Sequence, residues 1–348
     1  MKTRRLGRTD LHVTEYCLGT MTYGTQTPEH DAHAQIDMCL DHGVNFIDTA
    51  EMYPTNPLTK QTQGDTERVI GNWIANSGRR DEIILATKVS GKGYANVRNG
   101  APISPETIEV ALHNSLTSLK TDYIDLYQLH WPNRGSYMFR QNWAYDPSGQ
   151  SSEETADHML EVLQALDKHD KAGKISHIGL SNESAWGTMS WLKMAEQHNL
   201  PRMVSTQNEY SLLCRLYDLD MAEMTQHEQV GLLAFSPLAC GMITGKYSKT
   251  GAPEQGSRRS ITENLGGRTT DRVWPAIDAY LDIAKKHDLD PVHLAMAFCT
   301  SRPFMTSVIF GATNVDQLKT ILDGKDITLN EDVLADIAIA HKANPLPY

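Results

Sequence analysis

Eight short β-forming runs alternate with helical segments along almost the whole chain: YCLG, VNFID, EIILATK, YIDLYQLH, HIGLSN, VSTQN, GLLAFS and TSVIFGA. Most read as apolar on both faces rather than alternating apolar with polar. Strands of that kind lie parallel and are covered by helices on either side. The segments between them carry helical periodicity. In SPETIEVALHNSLTSLK, Ile108, Leu112, Leu116 and Leu119 share one face, with Ser104 as N-cap and Pro105 at the first helical position. ETADHMLEVLQALDKHDKAGK places Leu160, Leu163 and Leu166 on a stripe and stops near Gly173. Another helix runs through DAHAQIDMCLDHG to Gly43.

An open doubly wound sheet would show the same alternation. Even repetition without a reversal or linker favours a closed (β/α)8 TIM barrel, a fold that accommodates all 348 residues in one domain, 1–348. RRLGRTDLHV is predicted to form a small N-terminal hairpin plugging the barrel bottom. Extra C-terminal helices are expected at about Asp271–His287 and Pro291–Thr300, and a final one near Glu331–Lys342.

A net charge of -11 argues against a surface for nucleic acid or anionic membrane. The start MKTRRLGRTD has no apolar signal-like core, and no apolar run is long enough to span a bilayer. The five cysteines are scattered without metal-like spacing, which fits free thiols in a reducing cytoplasm. On that reading the Asn182-Glu183-Ser184 sequon is chance.

In a (β/α)8 barrel, chemistry sits where strands end and βα loops begin. The second run ends on Asp48, with Tyr53 five residues on; the third ends on Lys88 and the fourth on His130. The later runs leave Ser181-Asn182, Gln207-Asn208 and Phe235-Ser236 at the same rim. A phenol with pKa about 10 is a weak acid, and making it effective near neutrality takes roughly 3–4 kcal/mol. One ammonium about 4 Å away supplies on the order of 4 kcal/mol at an effective dielectric near 20. Lys88 is therefore expected to lower the Tyr53 pKa, with Asp48 keeping the lysine protonated. Tyr53 would protonate a developing alkoxide and His130 would orient the carbonyl oxygen.

The segments FIDTAEMY, LATK and LYQLHWP resemble those that carry the aspartate, tyrosine, lysine and histidine tetrad of the aldo-keto reductases. The likeness runs from GTMTYG through GLSN, QNEYSLL and AFSPLACGMITGKY to GATNVDQLK. Within the family it is most similar to the bacterial Tas-like and potassium-channel beta-subunit-like branch. The resemblance implies an oxidoreductase of CH–OH groups using NADPH/NADP+ without a Rossmann fold. It implies that Ser181, Asn182 and Gln207 hold the nicotinamide carboxamide and that Phe235 stacks on its ring. Ser236 and Leu238 would line the pyrophosphate, Lys246 and Arg258 the 2′-phosphate, and Thr313 and Gln317 the adenosine. Thr20 and Met21 would border the cofactor from the first loop.

Two positions depart from the family pattern. Thr320-Ile321 stands where many relatives have Glu-Asn, and Pro54 follows the tyrosine where glycine is frequent. The aromatic loop from Trp131 to Tyr145 offers Trp131, Tyr137, Phe139 and Trp143 as a wall for a small carbonyl substrate, with a self-packed cover as the equal alternative. GMITGK is one spacer short of a phosphate-binding P-loop, with Tyr247 where Ser or Thr would be needed. The expected activity is NADPH-dependent reduction of aldehydes or ketones. The rivals are a non-catalytic NADP(H)-binding sensor and a barrel hydrolase using Asp48 and Glu51 as an acid/base pair.

Overall fold

The computed structural model describes residues 1–348. Two short strands, β1 (Thr3–Arg5) and β2 (His12–Thr14), pair antiparallel and precede the main sheet. Eight further strands follow: β3 (Tyr16–Gly19), β4 (Phe46–Asp48), β5 (Ile84–Val89), β6 (Ile124–Leu129), β7 (Ile175–Ser181), β8 (Met203–Glu209), β9 (Gly231–Phe235) and β10 (Met305–Phe310). Each pairs in parallel with its neighbour in sequence, and β10 closes the ring against β3. This is the (β/α)8 barrel, and its strands are the eight runs read from the sequence.

The hairpin does plug the barrel floor. Leu6 and Val13 are fully buried among Cys17, Phe46, Ala86, Leu126, Leu233 and Ile309, the inward side chains of the lower barrel. The Arg4 guanidinium fastens the plug by donating to the carbonyls of Thr300 and Met305, each at 2.7 Å. Gly7 makes the approach possible. Its φ is +60°, and a Cβ there would lie 2.5 Å from the Val204 carbonyl oxygen. Gly7→Ala is therefore expected to destabilise the fold by about 2 kcal/mol, read as a lower urea midpoint at unchanged m-value.

The helix Pro105–Leu119 starts at a capping box in which Ser104 and Thr107 satisfy each other's backbone N–H. In the helix Ser152–Lys171 the buried stripe is Met159, Val162, Leu163 and Leu166. Leu160, expected on that stripe, is only partly buried because the core-facing positions follow the i, i+3, i+4, i+7 rule from Met159. Helices at Val273–Lys286, Pro291–Thr300 and Glu331–Ala343 occupy the expected C-terminal places. No helix is long and apolar enough to cross a membrane.

Candidate functional site

The parallel register brings the strand ends level at one rim. Asp48 pairs in register with Gly19 and Ala86, Lys88 with Gln128, and Ser181 with Gln207. Lys88 is fully buried, an expensive place for an ammonium unless it is matched by oxygens. Its Nζ donates to Asp48 Oδ2 at 2.6 Å and to the Thr49 carbonyl at 2.8 Å, and reaches the Tyr53 hydroxyl at 3.5 Å. The same ammonium lies 4.9 Å from the Tyr53 ring centre. Burial pushes the Lys88 pKa down, but Asp48 and Tyr53 more than compensate, so the lysine is held charged beyond its ordinary value.

Asp48 is pinned on its other oxygen. Oδ1 accepts from Gln128 Nε2 at 3.1 Å and from Gln207 Nε2 at 2.8 Å. Gln128 was not singled out from sequence. A signal was present: it stands two residues before His130 on β6, so both side chains share the inward face. Thr20 is also tied to this residue, its hydroxyl donating to the Asp48 carbonyl at 2.8 Å.

The tyrosine corrects one expectation. Burial raises the Tyr53 pKa above its ordinary value, and the lowering by Lys88 does not reverse this. Water no longer solvates a phenolate there, and Asp48 opposes the lysine's field at the phenol. Tyr53 is thus a fully protonated donor at neutral pH, not an acidified one. A developing alkoxide is a far stronger base than a phenolate, so the proton still moves downhill. His130 is buried and neutral, its pKa pushed well below 6.5 by burial and by Lys88. Its ring meets Tyr53 edge-on at 5.8 Å, and Nδ1 has no partner in the protein.

Next to the tetrad, Ser181 donates to the Gln207 carbonyl at 2.8 Å. Asn182, in the left-handed region at φ +53°, donates from Nδ2 to the His130 carbonyl at 2.9 Å. Its Oδ1 is buried without a donor. Gln207 faces Asp48 with its amide nitrogen, a contact that sequence reasoning missed. Phe235 is half-buried at the end of β9, and Ser236, Ala239, Cys240 and Gly241 all have positive φ. Arg258 donates to the Met21 sulfur at 3.7 Å, so the segment after β9 reaches the loop after β3. Lys246 is exposed, 5.2 Å from the Tyr247 ring centre. Leu238 packs at the edge of the core. Thr313 donates from its backbone nitrogen and hydroxyl to Gln317 Oε1, at 3.0 and 3.1 Å. Ile321 is a core residue, and Thr320 bonds back to the Asp316 carbonyl within its own helix.

The aromatic loop divides. Trp131 lies 4.9 Å from the His130 ring, with Phe139 edge-on beyond it at 6.4 Å. Tyr137 instead packs against Tyr145 at 5.8 Å, and Trp143 lies half exposed, 4.3 Å from the Arg272 guanidinium. Trp131 and Phe139 thus extend from the tetrad, while Tyr137 packs within the loop and Trp143 lies against Arg272 outside it. Glu51 is ion-paired to Arg98 and Asp48 to Lys88. Each acid is committed to its own cation, which removes the basis for the hydrolase pair.

A buried Asp–Lys pair lies against a neutral phenol and imidazole at the C-terminal rim of a (β/α)8 barrel, a set of groups chemically able to give a proton to an oxygen bound beside them. The aldo/keto reductase family model matches residues 15–342, and the chain belongs to that family. It is 43% identical over 351 residues to "Protein tas" of Escherichia coli (strain K12), covering 100% of this chain and 99% of that one. It is 30% identical to "Uncharacterized oxidoreductase YrpG" of Bacillus subtilis (strain 168), over 96% of this chain and 94% of the relative. A "Probable voltage-gated potassium channel subunit beta" of Arabidopsis thaliana is 28% identical, over 94% of this chain and 92% of its own. The protein is an oxidoreductase of the aldo-keto reductase type.

Proposed function

We propose that the protein reduces aldehydes or ketones to alcohols with NADPH, using residues 1–348 as one unit and Tyr53 as the general acid. The observation that carries this reading is the Lys88 ammonium, fully buried and shared between Asp48 and Tyr53. Bound reduced nicotinamide would supply a hydride to the carbonyl carbon. Tyr53 donates its proton to the oxygen as negative charge develops there, and Lys88 stabilises the phenolate left behind. His130, neutral, donates a hydrogen bond that orients the oxygen without competing for the proton. Asp48 keeps Lys88 charged, and the two glutamine amides keep Asp48 from taking that proton back.

The cofactor reading rests on polar atoms left without partners. Asn182 Oδ1 is a buried acceptor with no donor, suited to the N–H of a carboxamide. Gln207 spends its amide nitrogen on Asp48 and Gln128, which leaves its oxygen as the group to meet a carboxamide. Ser236 and then Ala239, Cys240 and Gly241 take positive φ, which bends the chain after β9 into a tight turn where the pyrophosphate would lie. Arg258 and Lys246 would take the 2′-phosphate, and Thr313 with Gln317 the adenosine. Ile321 lies in the core, so adenine contacts fall to Thr313 and Gln317.

Loss of absorbance at 340 nm across a panel of aldehydes and ketones tests the activity. A single-turnover measurement on bound NADPH separates a slow enzyme from a cofactor sensor, the role that the likeness to a channel subunit suggests. Arg258→Ala is expected to weaken NADPH by about 30-fold, from roughly 2 kcal/mol of lost charge-assisted bonding, while NADH changes little. Equal losses for the two cofactors in a fluorescence titration would refute the 2′-phosphate assignment.

A further inference from the structure

Glu51 stands two residues before Tyr53, and Ser90 stands two residues after Lys88. The Glu51 side chain joins these two segments. Its Oε1 accepts from the Ser90 backbone N–H at 2.5 Å, and its own N–H donates to the Lys88 carbonyl at 3.2 Å. Oε2 is held by Arg98, whose other terminal nitrogen donates to the Ser90 carbonyl at 3.1 Å. A single carboxylate and a single guanidinium thus clamp the turn that carries the phenol onto the strand end that carries the ammonium. We propose that Glu51, with Arg98, is a positioning residue that sets the separation of Tyr53 and Lys88.

Two independent features support this. Arg98 and Asn99 have φ of 45° and 53°, conformations that non-glycine residues adopt only when their surroundings require it. The backbone is held there because the Gly93 N–H bonds the Gly100 carbonyl at 3.0 Å, closing the loop that aims Arg98 inward. Beneath the clamp, Ala50, Met52 and Val97 form a small buried cluster against which Tyr53, Tyr94 and Trp131 pack. The clamp therefore fixes one wall of the site as well as the proton donor. A buried ion pair is weak evidence for stability on its own, because desolvation offsets the Coulomb attraction. Its placement between the two catalytic segments gives it a different use: a displacement of about 1 Å in a reacting group costs up to 10²-fold in rate.

The inference rests on the reductase reading for its kinetic arm, and a structural arm stands without it. Glu51→Ala and Glu51→Gln are compared, since Gln retains an oxygen for the Ser90 N–H and removes the charge. Glu51→Ala is expected to lower kcat by about 30-fold, with KM for the carbonyl and Kd for NADPH within about twofold. Glu51→Gln keeps the Ser90 bond but turns an amide N–H toward Arg98, so it should recover only part of that loss, to about tenfold below wild type. In crystal structures the Tyr53 Oη to Lys88 Nζ separation should lengthen by about 1 Å in Glu51→Ala and by less in Glu51→Gln. A Glu51→Ala protein that melts lower yet keeps kcat and that separation would overturn the proposal. A wild-type protein that reduces no carbonyl would defeat the reductase reading, and the crystallographic comparison would still decide the clamp.

Discussion

Tyr53→Phe is expected to lower kcat for carbonyl reduction by about 10³-fold while leaving NADPH affinity within about twofold, as general acids typically contribute 10²–10⁴. The phenol ring packs edge-on to His130 and against the small cluster around Met52, and phenylalanine preserves both contacts. What is lost is the hydroxyl that receives the Lys88 ammonium at 3.5 Å. Nothing else in the tetrad replaces it. His130 is held neutral by burial and by Lys88, and the Lys88 ammonium, with two protons on Asp48 and the Thr49 carbonyl, is held charged by Asp48 rather than free to give its proton up. Because the Tyr53 pKa lies above its ordinary value, the acid stays protonated through neutrality and beyond. The reduction rate of the wild type should therefore show no basic limb from this group until pH exceeds about 10. Steady-state kinetics with a cofactor titration checks the first statement and a pH–rate profile the second. A variant with near-normal turnover would remove Tyr53 from the chemistry.

Lys88→Met carries the second large effect, and it joins stability to activity. The ammonium is fully buried, and the Asp48 carboxylate is nearly so. Removing the cation leaves Asp48 with only the amide donors of Gln128 and Gln207 around it. Breaking one side of a buried pair costs about 3 kcal/mol or more, because the remaining charge is uncompensated. Methionine matches the volume of the lysine stem, so this cost is electrostatic rather than a cavity. Turnover should fall by about 10²-fold or more as well, since the phenolate formed at Tyr53 loses its nearest cation. Urea denaturation gives the first quantity and single-turnover kinetics the second. The double variant Asp48→Asn/Lys88→Met removes both charges, and it should recover much of the stability but none of the rate. Recovery of rate would mean that Lys88 acts only through the fold.

The four side chains of the candidate tetrad were legible in the sequence because each stands at the end of an apolar strand or just past it. In a parallel barrel those ends share one rim. The hairpin plug was legible for a similar reason: a short polar-flanked turn ahead of the first strand can reach only the floor. Harder to see were contacts across the barrel. Gln207 approaches Asp48 from 159 positions away, and Gln128 from 80. Both readings require the register of strands that are not neighbours in sequence. The division of the aromatic loop was equally hidden, because Trp131 and Trp143 differ in what packs around them and not in kind. The sign of the Tyr53 shift depended on how far water is excluded from the phenol, which spacing does not report.

Composition and period determined the eight apolar strands, the helices between them and the strand ends at which polar side chains gather, since those follow from local hydrogen bonding and the burial of apolar runs. Closure of the ring by β10 on β3 is a tertiary pairing. Tertiary structure decided which oxygen each cation holds, how Glu51 ties the phenol's turn to the lysine's strand, and whether a proton is easy or hard to remove. The physical reason is range. Strand and helix periods act over a few residues, whereas desolvation and charge pairing depend on distances of a few ångströms between residues far apart in the chain.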